Sequence, residues 1–285
     1  MTLNDTWIIL TASLVALCCV IPGCFLVLRK MGMFGDAISH AVLPGLVIAY
    51  LISGSRSGSI LLIGAAATGL VVTFLIETIQ KKMRIQSDAA IGITYTFLFA
   101  VGVILVSLFT GQTDLDQECV LYGDITLVPF DLITVGGLTD IPRQVWIASV
   151  LLILLLGMLF SGYRGLYITT FDPGYATAVG ISVAFWHYLL MGMVSLATVV
   201  SFESVGAIMV IALLVGPAAT AALFAKRLPV MLILASIFGI IACFSGYWVA
   251  VWLNASIAGA IALMIGVIFG FSLGIRALIP SLNRR

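Results

Sequence analysis

Charge is what this sequence has least of. Only 9% of its 285 residues are Asp, Glu, Lys or Arg, against about 25% in an ordinary soluble domain. A water-soluble globule is excluded on that ground. Residues 6–28, 89–113, 204–225 and 228–275 hold no charged side chain at all. Each run meets the roughly 20 residues that a helix needs to cross a bilayer. The last allows two crossings, with a break at 252–256. A nucleotide-binding loop is missing too. The lysines at 30, 81, 82 and 226 follow Arg, Gln, Lys and Ala, and none follows the glycine that GxxxxGK[ST] requires. If ATP drives this chain, a separate subunit binds it. The cysteines at 18, 19, 24, 119 and 243 show no CxxC spacing, which excludes that metal or redox motif and leaves small, buried, apolar side chains. No Lys or Arg precedes the first apolar run, so the start does not read as a cleaved signal peptide. No repeat, low-complexity tract or soluble domain is evident.

What is there is hydrocarbon, 62% of residues being hydrophobic. The pattern predicts an all-α polytopic membrane protein of eight or nine spans, one domain over 1–285. The spans lie near 7–28, 34–53, 58–78, 89–110, 145–162, 182–201, 205–224, 229–250 and 256–275, with spans six and seven parted only around 202–203. Helices are the natural element, because lipid offers no partner to free backbone groups. Placing the N-terminus outside collects Arg29, Lys30, Lys81, Lys82, Arg84, Arg164, Lys226, Arg227, Arg276, Arg284 and Arg285 on the cytoplasmic side. That is 11 of the 13 basic residues and satisfies the positive-inside rule; Arg56 and Arg143 stay outside, and the C-terminus is cytoplasmic. Residues 111–144 then form the main outer loop. Its acids Asp114, Asp116, Glu118, Asp124, Asp131 and Asp140 face one base, Arg143. They either attract cations or simply solvate a loop, the plainer reading. Residues 119–128 are apolar enough to dip back into protein.

Buried polar residues carry the functional signal. A carboxylate at a helix centre costs about 2.5–3.5 kcal/mol on insertion scales, so Asp36 faces a bundle interior or a pathway. His40 lies one turn on and shares its face. An oxygen and a nitrogen on one face suit a divalent first-row metal. Pro44 lacks an N–H, so the His40 carbonyl loses its usual helical partner and is a further candidate ligand. Ser39, on the same segment, is a candidate pathway or gate residue with Pro44 and Glu203. One Asp and one His do not close a metal site. A homodimer supplies two of each about its axis: two carboxylates cancel one dication and two neutral imidazoles complete four ligands. The plainer alternative is an Asp–His hydrogen bond that locks helix packing. His187, among aromatics at the cytoplasmic end of a span, reads as interfacial packing. Glu203 either guards an entrance or caps the next helix, capping being the simpler role.

The cytoplasmic loop 162–181 contains its own helix start. Asp172 offers an N-cap acceptor, Pro173 suits the first helical position, and Gly180 suits the stop. Phe171, Tyr175 and Val179 then share an exposed apolar face, which suggests a partner groove. The lack of Lys and Arg argues against a helix resting on lipid headgroups. A proton-driven secondary transporter would want more intramembrane acids. An intramembrane enzyme would want a second carboxylate or a nucleophile near Asp36, and a plain scaffold leaves Asp36 unexplained.

The stretch GDAISHAVLPGLVIAYL (35–51) resembles the signature of the membrane permeases of metal-uptake ABC transporters, the group that imports manganese, zinc or iron. FDPGYATAVGI (171–181) resembles that family's cytoplasmic coupling segment, and SFESVGAIMVIALLVGPAATAALF (201–224) its late helix. The resemblance spans about residues 15–280. It implies a homodimeric or heterodimeric permease pair in a bacterial cytoplasmic membrane, two cytoplasmic ATP-binding subunits and an extracytoplasmic metal-binding protein. It implies no catalysis and no cofactor in this chain; the metal is cargo. It further implies that Asp36 and His40 form the pathway site and that 171–180 contacts the ATPase. The residues around His40 look most like the manganese and iron branch, giving the order manganese, iron, zinc. Asp36 falls close to the cytoplasmic end of span two. An unwound stretch at 31–35, eased by Gly32 and Gly35, would carry it deeper.

Overall fold

The structure is a computed structural model that describes residues 3–53, 58–109, 125–135 and 138–278. In chain order the helices are α1 (Leu3–Leu28), α2 (Phe34–Ala41), α3 (Leu43–Ser53), α4 (Gly58–Met83) and α5 (Ser87–Phe109). After a 3-10 turn (Ile125–Phe130) and a hairpin of β1 (Leu132–Val135) and β2 (Leu138–Pro142) come α6 (Arg143–Phe171), α7 (Pro173–Ala178), α8 (Val183–Val205), α9 (Ala207–Ala222), α10 (Leu228–Leu253) and α11 (Ile257–Leu278). Among the described residues, seven helical segments are long and apolar enough to cross a membrane, with α2 and α3 together counting as one. Two shorter apolar helices, Ala67–Gln80 within α4 and Ala207–Ala222, fall where spans three and seven are expected.

The first apolar run becomes the axis of the bundle. α1 packs against α6, α8, α9 and α10, and Cys18, Cys19, Val20, Cys24, Phe25 and Leu26 are fully buried. Lipid tails are as apolar as leucine, so burial alone does not drive helices together there; close packing of small residues does. Cysteine serves that end. Cys18 Sγ donates to the Ala148 carbonyl of α6 at 3.5 Å, and Cys243 Sγ on α10 donates to the Ala12 carbonyl of α1 at 3.4 Å. The thiols at 18, 19, 24 and 243 are free and buried, as expected; Cys119 lies outside the described residues.

Several expected boundaries move. Residues 162–171 are not loop: α6 runs unbroken to Phe171. The lone charge Arg164 does not end a helix, and Gly165 leaves space into which the indole of Trp186 packs. Spans six and seven part at Gly206 rather than at 202–203. Gly206 adopts φ 77° and ψ 162°, a region open in practice only to glycine. The break expected at 252–256 is found, with Asn254 in the left-handed region at φ 51° as the C-cap of α10. The hairpin is the one departure from an all-helical chain among the described residues, and it pairs Leu132 with Pro142 and Ile133 with Ile141. Before it, Ile125 and Val128 are buried in a turn that packs on α1, α8 and α11, so this part of 119–128 does dip into protein. Of the outer-loop acids, Asp131 sits 4.0 Å from Arg143. Asp114, Asp116, Glu118 and Asp124, like residue 56 and the basic pair at 284–285, lie outside the described residues, as does the side chain of Asp140.

Candidate functional site

The second span is two helices. A turn at Val42, followed by Pro44, separates α2 from α3, although Val42 keeps helical dihedrals and bonds to Ile38 and Leu46. Pro44 is buried, with its ring against Gly102 of α5, where an added Cβ would come within 2.9 Å of Pro44 Cδ. The connection from α1 occupies residues 29–33, with Lys30 at φ 59°. Gly35 is therefore already helical, contrary to the expectation that it eases an unwound stretch. Its missing side chain instead makes room for Leu214 of α9, whose Cδ2 an added Cβ would approach to 2.5 Å. α2 packs against α4, α5, α8 and α9, which buries Phe34, Ala37, Ile38 and Ala41.

The remaining face of α2 is the polar one. Asp36 lies in the first turn, where the backbone N–H groups and the helix dipole favour a carboxylate. Its Oδ1 is 3.4 Å from His40 Nε2, and the two side chains remain about one third exposed, 32% and 36%. Ser39 spends its hydroxyl proton on the Asp36 carbonyl at 2.6 Å, so what it turns outward is acceptor. Two rings of α5 frame the imidazole: Tyr95 tilted by 32° and Phe99 edge-on at 83°, each with its centroid 5.9 Å away. Sequence reasoning passed over both, since they are separated from His40 by more than fifty residues and look like ordinary span aromatics. Among the described residues no three His, Cys, Asp or Glu side chains converge. Asp36 and His40 thus form a partly exposed pair that offers two donor atoms.

The second expected site has the local geometry its caps predict. Asp172 Oδ1 accepts the Tyr175 N–H at 2.8 Å, and Pro173 opens α7. The helix closes with the Ile181 N–H on the Ala176 carbonyl at 2.8 Å and the Gly180 N–H on the Thr177 carbonyl at 3.1 Å. Gly180, at φ 83°, supplies the left-handed turn of that Schellman stop. Phe171, Tyr175 and Val179 are more than half exposed. Glu203 lies in the last turn of α8, not at the head of α9. The N-cap there is Gly206, and the Glu203 side chain is outside the described residues.

A third polar cluster was only half foreseen. Arg29, just past α1, donates Nε to Thr170 Oγ1 and Nη2 to Thr169 Oγ1, each at 3.1 Å. Its Nη1 lies 3.3 Å from His187 Nδ1. His187 Nε2 lies 2.8 Å from Glu77 Oε1 of α4, with the ring N–H not aimed straight at the oxygen. Glu77 Oε2 accepts the Tyr188 hydroxyl at 3.1 Å. His187, expected to pack among aromatics, lies against Tyr188 but also stands between Arg29 and Glu77. Glu77 went unnoticed. The available signal was an acid near the C-terminal end of an apolar helix, where the dipole disfavours it.

The chain's relatives agree with this architecture. A profile of the ABC 3 transport family matches residues 4–276. The manganese transport system membrane protein MntD of Bacillus subtilis (strain 168) is 47% identical over 265 residues, 93% of this chain and 90% of that protein. The zinc transport system membrane protein TroD of Treponema pallidum (strain Nichols) is 42% identical over 265 residues, 92% of this chain and 71% of TroD. Among solved structures, PsaBC from Streptococcus pneumoniae in complex with Fab superposes with a TM-score of 0.78 at 33% identity, covering 95% of this chain and 91% of that one. With a match over nearly its whole length, this multi-pass membrane permease belongs to the ABC 3 transport family.

Proposed function

We propose that the chain is the permease subunit of an ATP-driven importer of divalent metal, with manganese as the first cargo. The observation that carries the reading is the Asp36–His40 pair, a carboxylate oxygen and an imidazole nitrogen 3.4 Å apart on the partly exposed face of α2. A second copy opposing that face completes an O2N2 set. Its two carboxylates neutralise the dication, which lowers the cost of holding it away from water. Separate cytoplasmic subunits bind and hydrolyse ATP, docking on Phe171 and Tyr175 of the 162–181 segment. An extracytoplasmic protein delivers metal on the 111–144 side, and the N-terminus lies on that side too. Manganese leads because MntD is a manganese-transport protein by name; TroD, named for zinc, moves zinc ahead of iron, in place of the order manganese, iron, zinc expected from the residues around His40. Since N/O ligands intrinsically bind zinc more tightly than manganese, geometry and delivery set the selectivity. The His40 carbonyl beside Pro44 is a further oxygen donor in this scheme, and Ser39 and Glu203 line the path.

Asp36→Ala tests the reading. Manganese uptake into vesicles holding the assembled transporter falls to background, while co-purification with the ATP-binding subunits is unchanged. Normal uptake by the variant overturns the site.

A further inference from the structure

The Arg29 cluster sits where the two functional regions come closest in the chain's connectivity. Thr169 and Thr170 end α6, and His187 and Tyr188 begin α8, so the cluster grips both helices that flank α7. Arg29 is separated from Phe34, the first residue of α2, by only four residues. Glu77 is on α4, which packs against both α2 and α3. The cluster thus reaches the Asp36–His40 helix from two sides and the exposed α7 segment from two more.

Its hydrogen-bond directions are determined. Thr169 donates its own proton to the Gly165 carbonyl at 2.8 Å, and Thr170 to the Leu166 carbonyl at 2.6 Å. Their lone pairs are left to receive the guanidinium. Because Arg29 can only donate, His187 Nδ1 accepts and the ring proton sits on Nε2, against Glu77. A neutral ring therefore bridges a cation and an anion, with the His187 and Glu77 side chains only 15% and 16% exposed. For stability alone such an arrangement is a poor choice, since hydrophobic residues of similar volume often do as well or better. Its distinguishing property is that it is unforgiving of misplacement: separating any pair leaves a charge uncompensated in a medium of low dielectric.

We propose that the Arg29–His187–Glu77 bridge is the strut through which movement of α7 is passed to α2, making these three positioning residues for transport. The inference rests on the proposed function, in which α7 meets an ATPase and α2 holds metal. Displacing α7 carries the ends of α6 and α8 with it. The strut then obliges Arg29, and hence the 29–33 turn, to follow.

The test is the number of manganese ions moved per ATP hydrolysed by the complete transporter in proteoliposomes. His187→Leu removes the bond to Arg29 and the close approach to Glu77. It is expected to lower that ratio about tenfold, with complex yield and basal ATP hydrolysis retained. His187→Gln, which can accept from Arg29 and donate to Glu77, restores most of it. Should the leucine variant fail to assemble, Tyr188→Phe removes only the hydroxyl bond to Glu77 and lowers the ratio by a smaller factor. An unchanged ratio in His187→Leu, or in Tyr188→Phe where that variant stands in, overturns the strut alone. A loss of yield, hydrolysis and uptake in equal proportion, with no rescue by glutamine, assigns the cluster a purely structural role and also overturns it. Unaltered transporter that hydrolyses ATP but moves none of manganese, zinc and ferrous iron overturns the reading of function and the strut together.

Discussion

At the scale of single residues, the positions that matter are those where an apolar chain tolerates something expensive. Asp36 is one, and its place in the first turn of α2 recovers about 0.3–1 kcal/mol from the helix N-terminus. Gly206 is another. Its backbone at φ 77° and ψ 162° costs any other residue about 1–3 kcal/mol. Gly206→Ala is therefore expected to lower the thermal midpoint of the purified protein by several degrees, measured in detergent, and an unchanged midpoint contradicts the strain. Asp36 and His40 were legible in the sequence because polar side chains stand out in an uncharged segment and lie a turn apart. Arg29, Glu77 and His187 were not legible as a unit. Arg29 and His187 are 158 positions apart in sequence, and no local spacing reports a contact between remote helices.

At the scale of elements, short signals read well and long-range packing read poorly. α7 followed from its caps, since Asp172, Pro173 and Gly180 each act on the turn they occupy. The end of α6 did not follow, because Gly165 looks like a helix breaker until Trp186 is seen against it. The cap gives a prediction for this element. Asp172→Ala removes the acceptor for the Tyr175 N–H and destabilises α7 by about 1 kcal/mol. Weaker co-purification with the ATP-binding subunits should follow, and replacing Phe171 and Tyr175 by alanine should weaken it further. Metal binding by the permease pair should stay as in the parent; a loss of it in these variants would mean that the two regions are not separable.

At the scale of the whole molecule, an outline of eight or nine apolar spans was readable from hydropathy; the structure gives seven long spanning segments and two shorter apolar helices among the described residues. The interruption of span two was signalled by Pro44, which removes a backbone donor; the hairpin was not, for it depends on what the 125–130 turn packs against. The two-donor character of the Asp36–His40 face has a stoichiometric consequence. Native mass spectrometry of the assembled transporter is expected to show one manganese for each two permease chains, and none after His40→Ala. One ion per chain would place the ligands within a single subunit.

The turn at Val42 is a jog in a continuous span rather than a break. Val42 keeps helical dihedrals, φ −68° and ψ −27°; its N–H bonds to the Ile38 carbonyl and its own carbonyl accepts the Leu46 N–H, each at 3.1 Å. The sharper change of direction is the 29–33 turn, with Lys30 at φ 59°. A rotation of the eight-residue α2 would therefore carry α3 with it and pivot about its N-terminal end.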